Sequence, residues 1–168
     1  MAEQAFPTLN GEAQSWANCS AVINVYDGAT IEMPGLTAIK WANAVERGVQ
    51  RSMSGGIVKT TRGQADPSAS FEAYADQGLI LIEALIDAAI AKGYVVNGIA
   101  RYGMVAFDLI VQHTPLGGIG ISKTEVLGCK LSEDKGEYAE GTDADKTEYP
   151  LSVLDVVRTI NGKRGSIL

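Results

Sequence analysis

One histidine, two cysteines and no apolar run near the ~20 residues of a membrane-spanning helix leave this 168-residue chain without several common chemistries. With His113 as the only imidazole, a multi-histidine metal site is excluded. A Ser–His or Cys–His nucleophile pair has no support near it in sequence, and the residue reads as a surface or strand-end histidine. Cys19 and Cys129 lack CxxC spacing and read as two small, half-buried hydrophobes in a reducing compartment. Asn18-Cys19-Ser20 has the form of a glycosylation sequon. The opening Met1-Ala2-Glu3-Gln4-Ala5-Phe6-Pro7, however, has no basic stretch followed by an apolar segment, so the expectation is a protein that is cytoplasmic when made. Gly55-Gly56-Ile57-Val58-Lys59-Thr60 has the outline of a phosphate loop, yet Val58 stands where glycine should precede the lysine and no helical pattern follows. Asp143 and Asp145 lack the Gly and Glu positions of a calcium loop, and no other carboxylate pair falls in an acid–base motif. The reading is of a non-enzymatic protein with no cofactor and no metal.

What is present begins with enough apolar residues, 46%, for one globular domain over 1–168, burying roughly 70% of the surface of the unfolded chain. The net charge of −6 is localised. Residues 133–148 hold seven acids (Glu133, Asp134, Glu137, Glu140, Asp143, Asp145, Glu148) against Lys135 and Lys146, with Gly136, Gly141, Thr142 and Ala144 between, and read as an acidic loop. The remainder has 13 acids against 12 bases, but residues 40–63 carry Lys40, Arg47, Arg51, Lys59 and Arg62 against Glu46 alone. A basic segment and an acidic segment on one chain are able to meet between copies.

That basic segment alternates as a long β-hairpin over 37–63. Thr37, Ile39, Trp41, Asn43, Val45, Arg47 and Val49 make one moderately apolar face, and Ala38, Lys40, Ala42, Ala44, Glu46, Gly48 and Gln50 a small, polar one; Ser54-Gly55-Gly56 is the turn. A two-stranded hairpin this thin is marginal in water, so something outside it must cover it. Strands are expected at 17–26 and 29–33 around Asp27-Gly28, at 69–74 after a break at Asp66-Pro67, at 105–112, at 124–131 and at 149–160. One helix is expected over 76–92, capped by Asp76, burying Leu79, Ile82, Leu85, Ile86 and Ile90 and closed at Lys92-Gly93. The class is α+β: a β-sandwich or barrel-like domain with one central helix. Tight nucleic-acid binding through the basic hairpin is disfavoured, since Trp41 is its only aromatic and the pI is about 4.8.

In order and spacing these features resemble the bacteriophage tail tube protein family over most of the chain. The resemblance is carried by Asn10-Gly11 and Ser15-Trp16, by Tyr26-Asp27-Gly28, and by the hairpin ending Lys59-Thr60-Thr61-Arg62-Gly63-Gln64. It continues through the strand–helix pair at 70–92, Phe107-Asp108, Gly128-Cys129-Lys130-Leu131, Glu148-Tyr149-Pro150-Leu151-Ser152 and Asn161-Gly162. It implies a structural role. Six copies form a ring whose hairpins close a β-barrel around a lumen, and the rings stack into a virion tail tube, assembled in the host cytoplasm, that conducts DNA without binding it specifically. Implied partners are further copies, a tape measure, a terminator, a baseplate or tip, and a sheath if the tail contracts.

On this resemblance Ala38, Lys40, Ala42, Ala44, Glu46, Gly48 and Gln50 face the lumen. Arg47, Arg51, Lys59 and Arg62, with Glu133, Asp134, Glu137, Glu140, Asp143 and Asp145, are candidates for contacts between subunits. The positive charge of the hairpin departs from the acidic or neutral lining expected of such a conduit. Two other readings stand beside it: the inner tube of a bacterial contractile injection apparatus, and a small-molecule-binding or enzymatic α+β domain with a pocket lined by 93–103 and 117–120.

Overall fold

The computed structural model describes residues 19–26, 28–114, 121–136 and 145–167. Eleven strands and one α-helix are described, all strand pairs are antiparallel, and the class is α+β. The strands are β1 (Cys19–Val25), β2 (Thr30–Glu32), β3 (Leu36–Arg51), β4 (Ile57–Tyr74), β5 (Val95–Val96), β6 (Ile99–Ala100), β7 (Phe107–His113), β8 (Ser122–Leu131), β9 (Lys146–Ser152), β10 (Asp155–Ile160) and β11 (Lys163–Gly165), with α1 (Ala75–Ala91) following β4. β8 joins two sheets. Its first part pairs with β7 and β10, continuing to β1, β2 and β11, and its last two residues pair with β9, continuing to β4 and β3.

Gly128 lies in the irregularity of the β7–β8 register, between Val126 and Cys129. Its φ of +63° suits glycine, and a Cβ there would lie 2.6 Å from Leu154 Cγ. Its N–H donates to Asp108 Oδ1 at 2.9 Å, and Tyr26 Oη donates to the same oxygen at 2.7 Å. Three separate sequence motifs thus meet at one carboxylate.

The core is where the alternation of β7 places it: Val105, Phe107, Leu109 and Val111 are buried, packed with Ile23, Val126, Phe71, Leu81 and Leu85. Full burial of each such side chain contributes ~1.5–3 kcal/mol. Phe71 stacks on Tyr149, centroids 5.1 Å apart, which fixes β4 against β9.

Several expected boundaries move. The return strand does not stop at Asp66-Pro67 but runs on to Tyr74, absorbing the separate strand expected at 69–74. Pro67 lies just beyond the β9 ladder, which begins at Ser68, so β4 is an edge on that side, and an edge tolerates a residue without N–H. The expected final strand is two, β9 and β10, because the chain crosses between sheets at Val153 and Leu154. Lys146, Thr147 and Glu148, read as the end of a loop, already belong to β9.

Asp76 is not the helix cap. Tyr74 occupies that position in extended conformation without a side-chain bond, and the Ala75 N–H donates to Asp145 O at 3.0 Å, so backbone does the capping. Asp76 sits in the first turn, where its charge suits the helix dipole. The buried face is also rotated from the one expected. Gly78, Leu81, Leu85, Ala88 and Ala89 are buried, whereas Leu79 and Ile90 are exposed. Small residues win this face because the sheet comes close: Tyr149 Cζ lies 2.9 Å from where a Gly78 Cβ would be. Lys92-Gly93 closes the helix as expected, with Gly93 at φ +73°.

Candidate assembly surface

The β3–β4 hairpin has two faces of opposite character, and the register identifies both. Ala38, Lys40, Ala42 and Ala44 pair across with Glu72, Ser70, Ser68 and Asp66, and three of those continue onto Glu148, Pro150 and Ser152 of β9. Directly opposed residues share a face, so the small, polar side of β3 extends over three strands. It is tied by charge. Lys40 Nζ lies 3.4 Å from Glu148 Oε1, Ser70 Oγ donates to Glu148 Oε1 at 2.9 Å, and Thr37 Oγ1 donates to Glu72 Oε1 at 2.9 Å. Lys146 Nζ lies 3.8 Å from Glu72 Oε1 and 5.6 Å from the centre of the Tyr74 ring. The Ser70 hydroxyl, then Lys40, hold the Glu148 carboxyl below its usual range.

Of the seven residues assigned to this face from sequence, Lys40, Ala42, Ala44, Glu46, Gly48 and Gln50 are exposed and Ala38 is half-buried. Sequence reasoning missed Asp66, Ser68, Ser70, Glu72, Glu148 and Ser152. The parity of β4 was available as a signal, but ending the strand at Pro67 hid it, and β9 joins only through tertiary pairing. With these acids included the face is no longer basic.

The opposite face runs from Ile39, packed on the core, through Trp41, Asn43 and Val45 to Arg47, Val49 and Arg51. β3 keeps its alternation past the irregularity at Val45, because the extra residue there lies on β4: two steps from Val45 to Arg47 answer three from Ala65 to Arg62. Asn43 anchors this face to β10. Its Nδ2 donates to Asp155 Oδ1 at 3.1 Å and to Val156 O at 3.3 Å, and Ser166 Oγ donates to the same Asp155 oxygen at 2.6 Å. Asn43 Oδ1 is buried without a partner among the described residues. Beyond this anchor the hairpin overhangs the body and 46–51 are exposed on both faces.

Among the described residues the hairpin's edges are open: β3 is a terminal strand over its whole length, and 57–67 of β4 pair only with β3. Arg47, Arg51 and Lys59 have no ion pair among the described residues; Arg51 Nη1 reaches only Gly55 O, at 3.5 Å. For Arg62 the backbone register opposite Arg47 is what is described.

The acidic stretch is partly engaged inside the chain. Glu133 Oε2 lies 3.0 Å from Lys135 Nζ, Asp134 accepts the Tyr102 hydroxyl, and Glu148 is held as above. The hydrogen bond to Asp134, with burial, pushes the Tyr102 phenol up to about 12. Asp145 is exposed beside the helix start, and Glu137, Glu140 and Asp143 lie outside the described residues.

A groove of about 610 Å³ opens between the β5–β6 hairpin and the end of β8, lined by Val96, Ile99, Tyr102, Met104, Leu131 and Asp134. It is built from part of the 93–103 segment; residues 117–120 lie outside the described residues. Its Tyr102–Asp134 pair is a neutral donor on a carboxylate acceptor, and no cluster of acids, histidine and cysteines able to hold a metal is found among the described residues. His113, at the end of β7, is buried opposite Cys19 rather than on the surface, with neither ring nitrogen bonded among the described residues. No described helix is long and apolar enough to cross a membrane.

No family model and no curated protein sequence matches this chain. Solved structures do share its fold. The tube-terminating cap of the anti-feeding prophage superposes with a TM-score of 0.59 at 12% identity, covering 95% of this chain and 99% of that one. A chain of the sheath–tube complex of the PVC extracellular contractile injection system, in its extended state, gives 0.55 at 13% identity over 83% and 87%. One from the sheath/tube terminator of the same system gives 0.54 at 12% over 83% and 92%. The protein therefore has the fold of chains from the tube assemblies of contractile injection systems, the fold that the resemblance to tail tube proteins implied.

Proposed function

We propose that the protein is a tail tube subunit: a structural, non-enzymatic protein whose copies form rings of six, stacked around a channel through which the phage genome passes into the host. The observation that carries this is the pairing of open edges with a polar face. Among the described residues, strands of 16 and 18 residues leave unpaired N–H and C=O groups along β3 and along 57–67 of β4, an arrangement that invites another chain. Closing such edges into a barrel removes them, and the small, charge-balanced face would then line the lumen.

Ala38, Lys40, Ala42, Ala44, Glu46, Gly48 and Gln50 are its lining on β3, joined by Ser68, Ser70, Glu72 and Glu148. Mixed charge and small side chains suit a conduit, since every phosphate neutralised by a fixed cation would add affinity. Arg47 and Arg51 belong to the other face and, with Arg62 and Asp145, are candidates for contacts between copies; Lys59, opposite Gln50 in the register, falls on the side of the small, polar face and is a candidate from there. The acids Glu133, Asp134, Glu137, Glu140 and Asp143 complete that candidate set. The sheath, tape measure, terminator and baseplate are the partners of such a tube, and its place is the virion tail.

The fold shared with sheath–tube and terminator chains of injection systems favours one second reading, in which the same tube carries a different cargo. Helical reconstruction from electron micrographs of concentrated protein tests both. The expected result is stacked rings with an open lumen. A monomer or dimer at all concentrations, with saturable small-molecule binding in the 610 Å³ groove, would overturn it. Nucleic acid or protein co-purifying inside the tube separates the two cargoes.

A further inference from the structure

We infer that the exposed face of α1 is the seat on which the overhanging basic face of the hairpin of a second copy docks; the inference rests on the assembly function proposed above and names a contact that holds it together. α1 carries Asp76, Glu83 and Asp87 and no cation. Asp76, Ile80, Glu83 and Asp87 fall at i, i+4, i+7 and i+11, which on a helix is one stripe, and all four are exposed. Beside it stand Leu79, 62% exposed, and Ile90, 56% exposed. None of the three acids has an ion pair among the described residues. The helix thus presents an acidic and apolar surface that the described residues leave uncovered.

The hairpin presents its complement. Residues 47–62 contain Arg47, Arg51, Lys59 and Arg62 and no acid. Arg47 and Arg51 flank Val49, 51% exposed, on the face that continues from Trp41 and Val45. Spacings agree as well. Four strand residues put Arg47 and Arg51 about 13 Å apart, and seven helical residues put Asp76 and Glu83 about 10.5 Å apart, a difference within the reach of arginine. In each array an aliphatic residue, Val49 or Ile80, lies between the charges. The acidic stretch is a weaker seat, because Glu133, Asp134 and Glu148 are already engaged within the chain.

Because the two patches lie at different places on the molecule, the contact is head-to-tail. Made once per pair, it leaves one free patch of each kind and propagates into rings or filaments, as the ring proposed above requires.

Charge exchange tests this. Arg47→Glu with Arg51→Glu, Asp76→Lys with Glu83→Lys, and all four changes in one chain are compared with wild type by sedimentation velocity and negative-stain microscopy at low salt. Thermal unfolding checks that each variant folds. Each reversal alone should lower the assembled fraction about tenfold, and the fourfold variant should return to within about threefold of wild type. If a reversed helix fails to fold, Asp76→Asn with Glu83→Gln serves instead and should flatten the salt dependence of assembly. Either reversal assembling as wild type does, or a fourfold variant no better than the worse pair, overturns the inference while leaving the tube reading intact; an α1 that serves a basic partner other than this chain gives the first of these results. A wild type that never assembles overturns both.

Discussion

A single atom decides the packing of α1: the hydrogen that Gly78 carries in place of a methyl. Tyr149, held by its stack on Phe71, puts its hydroxyl where a Cβ on residue 78 would go, and Cζ is 2.9 Å from the same point. Gly78→Ala gains up to about 1 kcal/mol of helix propensity against roughly 1–3 kcal/mol for overpacking. The expected net change is a loss of up to about 2 kcal/mol in urea unfolding, partly recovered by adding Tyr149→Phe, which removes the colliding oxygen. A Gly78→Ala variant more stable than wild type would show that the sheet yields at this point. Glycine in a helical pattern is visible in sequence, but its partner, 71 positions later, is not, and reading the face by residue size selected Leu79 and Ile90 instead.

At the scale of elements, the hairpin is tied to the body by a polar clasp beyond its packed root. Asp155 Oδ1 accepts from Asn43 Nδ2, from Ser166 Oγ at 2.6 Å and from its neighbour Val156 N–H at 2.7 Å. Removing the acceptor takes one partner from each of these donors, at about 1–3 kcal/mol. Asp155→Ala should therefore destabilise the fold by about that much and accelerate amide exchange in 40–46 more than in β7. Equal acceleration in both would mean that the clasp supports global stability and does not direct the hairpin. The period-2 pattern of β3 and the turn at Ser54-Gly55-Gly56 were legible in the sequence, as were the inner face of β7 and the close of the helix. The clasp was not, because Asn43 and Asp155 lie 112 positions apart and neither belongs to a motif.

For the whole molecule, half of a long ribbon stands out from a body whose core does not reach it. An isolated two-stranded ribbon is marginal, so its amides at 45–51 should exchange rapidly in dilute protein and become strongly protected on assembly, by about a hundredfold or more, as neighbours close both edges. Exchange that stays fast in assembled material would place these edges outside the contacts and end the barrel reading. The charge on the hairpin takes on a different meaning at this scale. As a segment it is basic, but the fold divides it: Arg47 and Arg51 go to one face, while the other gains Asp66, Glu72 and Glu148 from strands that a segment-by-segment sum leaves out.

Composition and periodicity alone determined the class, the long alternating hairpin and the separation of its small, polar side from its apolar side, because alternation is local and each strand carries it in its own residues. The tertiary structure alone decided that β4 continues through Pro67, that β9 extends the polar face, and that α1 turns Gly78 inward and Leu79 and Ile90 outward. Each of those outcomes depends on which distant strand lies alongside, and a chain's local pattern fixes what a face is made of but not what it meets.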